Sequence, residues 1–457
     1  MLPPPTGRPR RALLQGRPTA GLVAAALLAA AVAVPVAATL AAHLEAPRLV
    51  GPGQEVGPFD AGDPDVVVVG PPGSGPPAGY RPGTAVVFAT QGAWRPDLAG
   101  IQRFAVAPSG SGWSVASPSA VGVALDRADA PRWVDRGAFL QAPGVFAYGG
   151  RWVLFFSAHL APAPGAGPTP PWDYCVGVAT AASLDGRFVA AGPGAAPLLC
   201  QDGTDRSTFD RGHQDGGVID PSPFVDPSTG APYLLFKTGN EVGGPPARLW
   251  SVPLDPSTGT TLAPGAEPRV VLSQQAGTTD TIENPDLVAQ GGTDVLYYAT
   301  GSFSAAYRVG KPVPPLGTQL PVAEPVSYGE TFARCDGPTG PCHPSGTPLL
   351  ATDGGAGRWG PGGGTVFVAA TGRRFISYGQ WSSRCANYLY CPPGTGLPDP
   401  PPFRGTWFAP LGDVTAAGAA DLVLAADASG AAMAAAGLAL LVSTRRRRRG
   451  RIDQTNR

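Results

Sequence analysis

One layout recurs along the middle of the chain and limits what it can fold into: an apolar run, a turn rich in Gly or Asp, and a second run rich in Tyr, Phe, Val and Leu. It stands at 144–158 (GVFAYGGRWVLFFSA), 222–237, 285–300 and 364–379. DPDVVVV (63–69) followed by TAVVFAT (84–90) reads as a fifth copy. Two short β-prone runs joined by such a turn make a hairpin. Five hairpins at irregular spacing, with no helical periodicity sustained from about Phe59 to Gly412, predict an all-β fold, a five-bladed β-propeller with flanking terminal apolar segments. The hydrophobic second runs are expected at the blade middles, packed blade on blade. A β-sandwich is the alternative, but it gives no reason for acidic residues to begin the strands of three copies.

Gly (64) and Pro (55) approach the abundance of low-complexity sequence, yet they alternate with apolar runs such as Val66–Val69, Trp152–Phe156 and Tyr233–Phe236, as turn punctuation does. At 457 residues the expected organisation is one large domain between two tails. Residues 1–43 read as a signal peptide or signal-anchor, 44–412 as the propeller, and 413–457 as an Ala-rich tail. Arg8, Arg10, Arg11 and Arg17 precede the charge-free stretch 19–42, in the order of a secretory signal, with Val36-Ala37-Ala38 as the candidate cleavage site. The same stretch is long enough to span a bilayer uncleaved. Residues 428–444 are again free of charge and end in Arg445–Arg449 and Arg451, like a stop-transfer segment; a plain Ala-rich tail is an equal reading. Export follows from either, to a secreted or cell-surface location, with membrane attachment through a terminus in the anchored readings. Basic and acidic residues number 33 each, which gives no basis for a nucleic-acid face.

Six cysteines suit an oxidising compartment. Pairing between sequence neighbours would join Cys175 to Cys200, Cys335 to Cys342 and Cys385 to Cys391, one choice among many. A zinc site is disfavoured, because there is no CxxC pair and the chain has four histidines.

Three acids punctuate the runs: Asp63 in GDPDVVVV, Asp220 in VIDPSPFVD and Glu283 in TIENPDLV. Sugar cleavage needs such a set, since one carboxylate must accept a proton from water while another donates one to the leaving oxygen. Asp-Pro alone is not specific, and Asp226-Pro227 and Asp255-Pro256 read as plain turns. What distinguishes the three is context: each stands just before a strand that enters a hairpin, where first strands line a propeller channel.

In this order the motifs GDPDVVVV, QAPGVFAYGGRWVLFFSA, VIDPSPFVDPSTGAPYLLFKTGN, ENPDLVAQGGTDVLYYATGSF and GPGGGTVFVAATGRRFISYGQW resemble glycoside hydrolase family 43, five-bladed propellers that degrade arabinan and xylan. The resemblance runs from about Val56 to Gly412 and is most specific around Asp220. YCVGVATAASLDGRFVA (174–190) also resembles the family's third-blade strand, which a Cys175–Cys200 bond would suit. By motif, the resemblance implies that Asp63 is the general base, Glu283 the general acid, and Asp220 the residue that raises and orients the acid. A second carboxylate nearby would keep Glu283 protonated near neutral pH. Single displacement with inversion would follow, with acid and base roughly 6.5–9.5 Å apart.

The chain also departs from that pattern. Gln141-Ala142-Pro143 stands where many members carry Trp-Ala-Pro, which would remove an aromatic wall from the sugar site. Gly360-Pro361-Gly362-Gly363 stands where many read Gly-Pro-Gly-His, which argues against a bound calcium ion; no cofactor and no metal ligand set is expected. A histidine of the last hairpin is likewise replaced, near Tyr378. Further candidates for sugar contact are Gln141, Lys237, Asn240 and Trp381, with Trp133 and Trp172 as stacking alternatives and His213 and Asp215 at the pocket mouth. The plain readings compete: a strand-end lysine is solvated, a loop histidine is exposed, and tryptophans pack. The expected function is an exported glycosidase acting on arabinose- or xylose-containing poly- or oligosaccharide. The alternatives are a surface sugar-binding propeller without turnover and a fructan-type five-bladed glycosidase, whose Asn-Asp-Pro-Asn-Gly and Glu-Cys-Pro signatures are not found. A Ser-His-Asp hydrolase lacks its G-x-S-x-G elbow here.

Overall fold

The computed structural model describes residues 46–412 except 58–59, 72, 94–95, 111, 117–121, 163–172, 191–195, 202–207, 210–216, 240–245, 276–280, 305–325 and 384–402. A compact unit spans Pro47–Asp413. After β1 (Gln54–Gly57), five antiparallel sheets follow in chain order. The first holds β2 (Asp65–Val68), β3 (Ala85–Ala89), β4 (Gly100–Ser109), β5 (Gly112–Val115) and β6 (Gly122–Asp126). The second holds β7 (Leu140–Tyr148), β8 (Arg151–His159), β9 (Tyr174–Ala181), β10 (Val189–Ala190) and β11 (Leu199–Cys200). The third holds β12 (Val218–Val225), β13 (Pro232–Thr238), β14 (Arg248–Pro253) and β15 (Arg269–Ser273). The fourth holds β16 (Thr281–Gln290), β17 (Thr293–Gly301), β18 (Gly329–Cys335), β19 (Cys342–Pro344) and β20 (Leu350–Ala351). The fifth holds β21 (Trp359–Gly362), β22 (Val366–Val368), β23 (Arg374–Trp381) and β24 (Arg404–Pro410), and β1 completes it by pairing with β24. The protein is a five-bladed β-propeller whose last blade is closed by its first strand.

The hairpins seen in sequence are the inner pairs of the blades: β2 with β3, β7 with β8, β12 with β13, β16 with β17, and β22 with β23. Their second strands are the buried middles. Side chains alternate across a strand, so each middle strand feeds two neighbouring interfaces. Leu154 and Phe156 pack with Val86 and Phe88 of the first blade. Val153 and Phe155 pack with Leu234 and Phe236 of the third. In the fourth blade, Leu296 faces Leu235 and Leu249 while Val295 and Tyr297 face Ile376 and Tyr378 of the fifth. Phe367 and Phe408 then meet Val87 and Phe104 and complete the circle. Burial on both faces is why these strands read as unbroken apolar runs rather than alternating ones. Each buried Leu or Phe contributes about 1.5–3 kcal/mol.

Every inner strand is distorted at one matching place. Asp63, Ala142, Asp220, Asn284 and Gly363 have φ of 48°, 45°, 60°, 49° and 68°. Pro64, Pro143, Pro221, Pro285 and Gly364 follow them. The ladder shifts register across Gln141/Gly144, Ile219/Ser222 and Glu283/Asp286. Proline has no N–H to give to a ladder and is tolerated at such bulges.

Disulfides join Cys175 to Cys200, tying β9 to β11, and Cys335 to Cys342, tying β18 to β19, with Cα–Cα distances of 4.5 and 4.0 Å. Cys385 and Cys391 lie outside the described residues, as do the stretches 19–42 and 428–444. Among the described residues no helix is long and apolar enough to cross a membrane. The 174–190 segment contributes the third strand of the second blade, not a strand of the third.

Candidate active site

The five distorted turns form a ring around the axis. Asp63, Ala142, Asp220, Asn284 and Gly363, with the residues that follow them, line a cavity of about 20 Å³, room for about one water. A left-handed φ is costly for most residues, while Asp and Asn tolerate it. The strain is paired with function at this ring, as it often is.

Asp63 is held from two sides. Arg404 Nη1 donates to its Oδ1 at 2.9 Å and Thr90 Oγ1 to its Oδ2 at 2.7 Å. Thr90 in turn accepts the Ala142 N–H at 2.9 Å, which binds the first blade to the second. Arg404, at the start of β24, gives Nη2 to the Gly362 carbonyl at 3.1 Å and lies 5.6 Å from the Tyr328 ring centroid. Asp220 donates its N–H to Ser157 Oγ at 3.1 Å and accepts the Asn284 N–H on Oδ2 at 3.0 Å. Glu283 accepts from Lys237 Nζ on Oε2 at 2.9 Å and from the Tyr328 hydroxyl on Oε1 at 2.7 Å. The structure thus brings all three predicted acids into one linked set. It also shows that they are not equivalent. Asp63 and Asp220 occupy the left-handed position itself, which Asn284 fills in the fourth blade, so Glu283 sits one residue earlier.

The electrostatics reverse one expectation. Burial, and then the negative charge of Glu283, push Asp220 well above the usual carboxylate range. Burial also acts to raise Glu283, but the charge of Lys237, the Tyr328 hydroxyl and the Lys237 hydrogen bond outweigh it and hold the group below its ordinary value of 4.5. The raised carboxyl is Asp220, not Glu283, because the lysine on β13 neutralises Glu283 directly.

A second tier lies two residues beyond the ring. Asp65 Oδ2 accepts the Val145 N–H of the second blade, at 2.5 Å, and Asp286 Oδ2 accepts the Val366 N–H of the fifth, at 2.7 Å. Burial pushes both carboxyls up to about 7. Glu330 on β18 is fully buried beside them and is pushed well above the usual range by its burial and then by Asp286. Among the described residues no group of three or more His, Cys, Asp or Glu could hold a metal ion. Gly363 offers no ligand, and a Cβ there would stand 2.8 Å from Asp63 Oδ1.

Other predicted contacts fare unevenly. Trp381 is 1% exposed, packs with Tyr328 and Trp359, and donates Nε1 to the Phe303 carbonyl, so no ring face is left for a sugar. Trp133 stacks on Phe156 with planes 5° apart, a packing role. Lys237 is 2% exposed and held at Glu283, neither a solvated lysine nor one extended toward a sugar. Gln141 is half-buried and donates to the Tyr174 hydroxyl at 2.9 Å. Asn240, Trp172, His213 and Asp215 lie outside the described residues. Sequence reading passed over Thr90, Tyr328 and Arg404, which reach the site from strand ends remote in sequence and carry no motif. It also passed over Asp65 and Asp286, although Asp63-Pro64-Asp65 and Asn284-Pro285-Asp286 share a spacing that marks both.

Comparison with known proteins places this geometry. A thermostable family-43 glycoside hydrolase superposes with a TM-score of 0.52 at 18% identity, covering 78% of this chain and 91% of that one. An endo-1,4-beta-xylanase from Bacteroides thetaiotaomicron gives 0.48 at 18% identity, over 77% of this chain and 90% of that one. The alpha-L-arabinanase of Cellvibrio cellulosa, complexed with arabinohexaose, gives 0.46 at 15%, over 78% and 92%. No curated protein matches the sequence. The sequence profile described as glycosyl hydrolases family 43 matches residues 117–395, a span that includes Asp220 and Glu283 and begins after Asp63. The chain belongs to glycosyl hydrolase family 43 and is a glycosidase.

Proposed function

We infer that the protein is an exported glycosidase that cleaves arabinose- or xylose-containing poly- or oligosaccharides with inversion, as an α-L-arabinofuranosidase, arabinanase or β-xylosidase. The observation that carries this reading is the division of labour among the three carboxyls. Asp63, held by Arg404 and Thr90 as an acceptor, is placed to take a proton from water. Glu283, in the fourth blade, delivers a proton to the glycosidic oxygen. Asp220 lies between them in the ring, its carboxyl raised by burial and by the charge of Glu283, and fixes the Asn284 backbone next to that acid. Water attacks the anomeric carbon as the glycosidic bond breaks on the opposite face, which inverts the centre. The substrate class rests on the family.

The test is hydrolysis of aryl α-L-arabinofuranoside, aryl β-D-xyloside and linear arabinan by the purified protein, with Asp63→Asn alongside and the first-formed anomer read by proton NMR. Sugar released with inverted configuration by the wild type and lost in the variant is the expected result. Retention would overturn the mechanism. Sugar binding without turnover on any substrate would favour a binding propeller.

A further inference from the structure

Gly62, Gln141, Ile219, Glu283 and Gly362 stand just before the left-handed residue of blades one to five, and of these Gln141 and Glu283 bear a polar side chain. The likeness of the two extends to their partners. Gln141 lies opposite Ser157, the next residue Ala158 lies opposite Cys175, and Tyr174 precedes that cysteine. Glu283 lies opposite Ala299, the next residue Thr300 lies opposite Gly329, and Tyr328 precedes that glycine. Tyr174 and Tyr328 therefore occupy the same place in their blades. Gln141 Nε2 donates to the Tyr174 hydroxyl at 2.9 Å, and the Tyr328 hydroxyl donates to Glu283 Oε1 at 2.7 Å. The second blade holds a neutral copy of the pair that carries the proton in the fourth.

An amide cannot pass that proton on, but it can bind a hydroxyl. It has two N–H donors and an acceptor oxygen, and the bond to Tyr174 uses one N–H. Gln141 is half-buried rather than sealed in. Ser157 opposite it accepts the Asp220 N–H at 3.1 Å, which ties the pair to the ring. The second blade is joined to the first, where Thr90 accepts the Ala142 N–H and donates to Asp63, and is not a neighbour of the fourth. The pair thus lies on the side of Asp63, away from Glu283 and the leaving oxygen.

We propose that Gln141, positioned by Tyr174, binds a hydroxyl of the sugar whose anomeric carbon is attacked, and so selects pentoses in which that hydroxyl is present and unsubstituted. This rests on Asp63 and Glu283 being the base and the acid. The hydroxyl donates to the amide oxygen and accepts the second N–H, and an analogue without it leaves the amide unpaired.

The experiment is kcat/KM on aryl α-L-arabinofuranoside, aryl β-D-xyloside and their monodeoxy derivatives, for wild type, Gln141→Leu and Tyr174→Phe. One deoxy derivative of whichever parent is cleaved should be about 10-fold poorer for the wild type, and that penalty should shrink to about twofold or less in Gln141→Leu. Tyr174→Phe keeps its ring against that of His159, with centroids 4.8 Å apart, and should reduce the same penalty, so the test does not depend on the folding of Gln141→Leu. Penalties unchanged in both variants would overturn the proposal and leave the pair as a structural link from β7 to β9. A loss in Gln141→Leu that followed the leaving ability of the aryl group rather than the hydroxyls of the sugar would also overturn it, by placing the side chain at the departing end. If the wild type cleaves no glycoside, the glycosidase reading is what fails, and calorimetric binding of L-arabinose and D-xylose then decides on the pair. Binding weakened about 10-fold in Gln141→Leu would support it; equal binding by both proteins, or none by the wild type, would overturn it.

Discussion

At the scale of single residues, the site depends on partners that hold each carboxyl in a different way. Arg404 shows how narrow the requirement is, because one guanidinium satisfies Asp63 and the Gly362 carbonyl through separate nitrogens. A lysine keeps the charge but not the fork. Arg404→Lys should therefore lower kcat/KM by about 10²-fold, a cost typical of a misplaced reacting group, while circular dichroism stays that of the wild type; unchanged kinetics would remove Arg404 from the positioning of Asp63. The acids themselves were legible in sequence, since Asp63 and Asp220 stand directly before a proline and Glu283 two residues before one, each near a strand start. Their partners were not. Arg404 is 341 residues from Asp63 and Tyr328 is 45 from Glu283, and no local pattern reports a contact made by ring closure.

At the scale of elements, the inner strands do two jobs with one bulge. The left-handed residue presents a side chain to the axis, and two residues later the chain joins the next blade through Asp65, Asp286 or Thr365. Gly364 shows how tightly this is built, for a Cβ there would lie 1.6 Å from the Ser377 carbonyl oxygen. Gly364→Ala should destabilise the fold by about 3 kcal/mol, at the upper end of overpacking costs, measured by urea unfolding. A loss below about 0.5 kcal/mol, the scale of a neutral surface change, would mean that the strand yields there. The hairpins could be read from turn chemistry and apolar runs. The bulge register could not, because Ala142 and Gly363 hold the same backbone position as Asp63 with side chains that share nothing.

Across the whole molecule, the ring concentrates acids that burial keeps protonated. Asp65 and Asp286 are pushed from 3.8 to about 7, so between those values the folded protein holds protons that the unfolded chain has released. Their contribution to stability is complete below about 3.8 and gone above about 7. Asp220 and Glu330, also raised by burial, act in the same sense. Glu283 works in the other sense, but only as pH falls below its ordinary 4.5. The melting temperature should therefore fall steadily from pH 5 to pH 8, and Asp286→Asn should flatten the slope; calorimetry that finds a maximum near pH 8 would show that the tier is not protonated. The ring also has an opening. Gln54 pairs with Phe408 and Leu49 with Leu411, so the first and last strands of the fifth blade present neighbouring ends on one side. A load drawn across Leu49 and Leu411 falls on one hydrogen bond at a time, as in a zipper, rather than on the whole ladder in shear. Under tension the fifth blade should be the first to part, because its seam opens bond by bond while the packed interfaces between blades must be broken together.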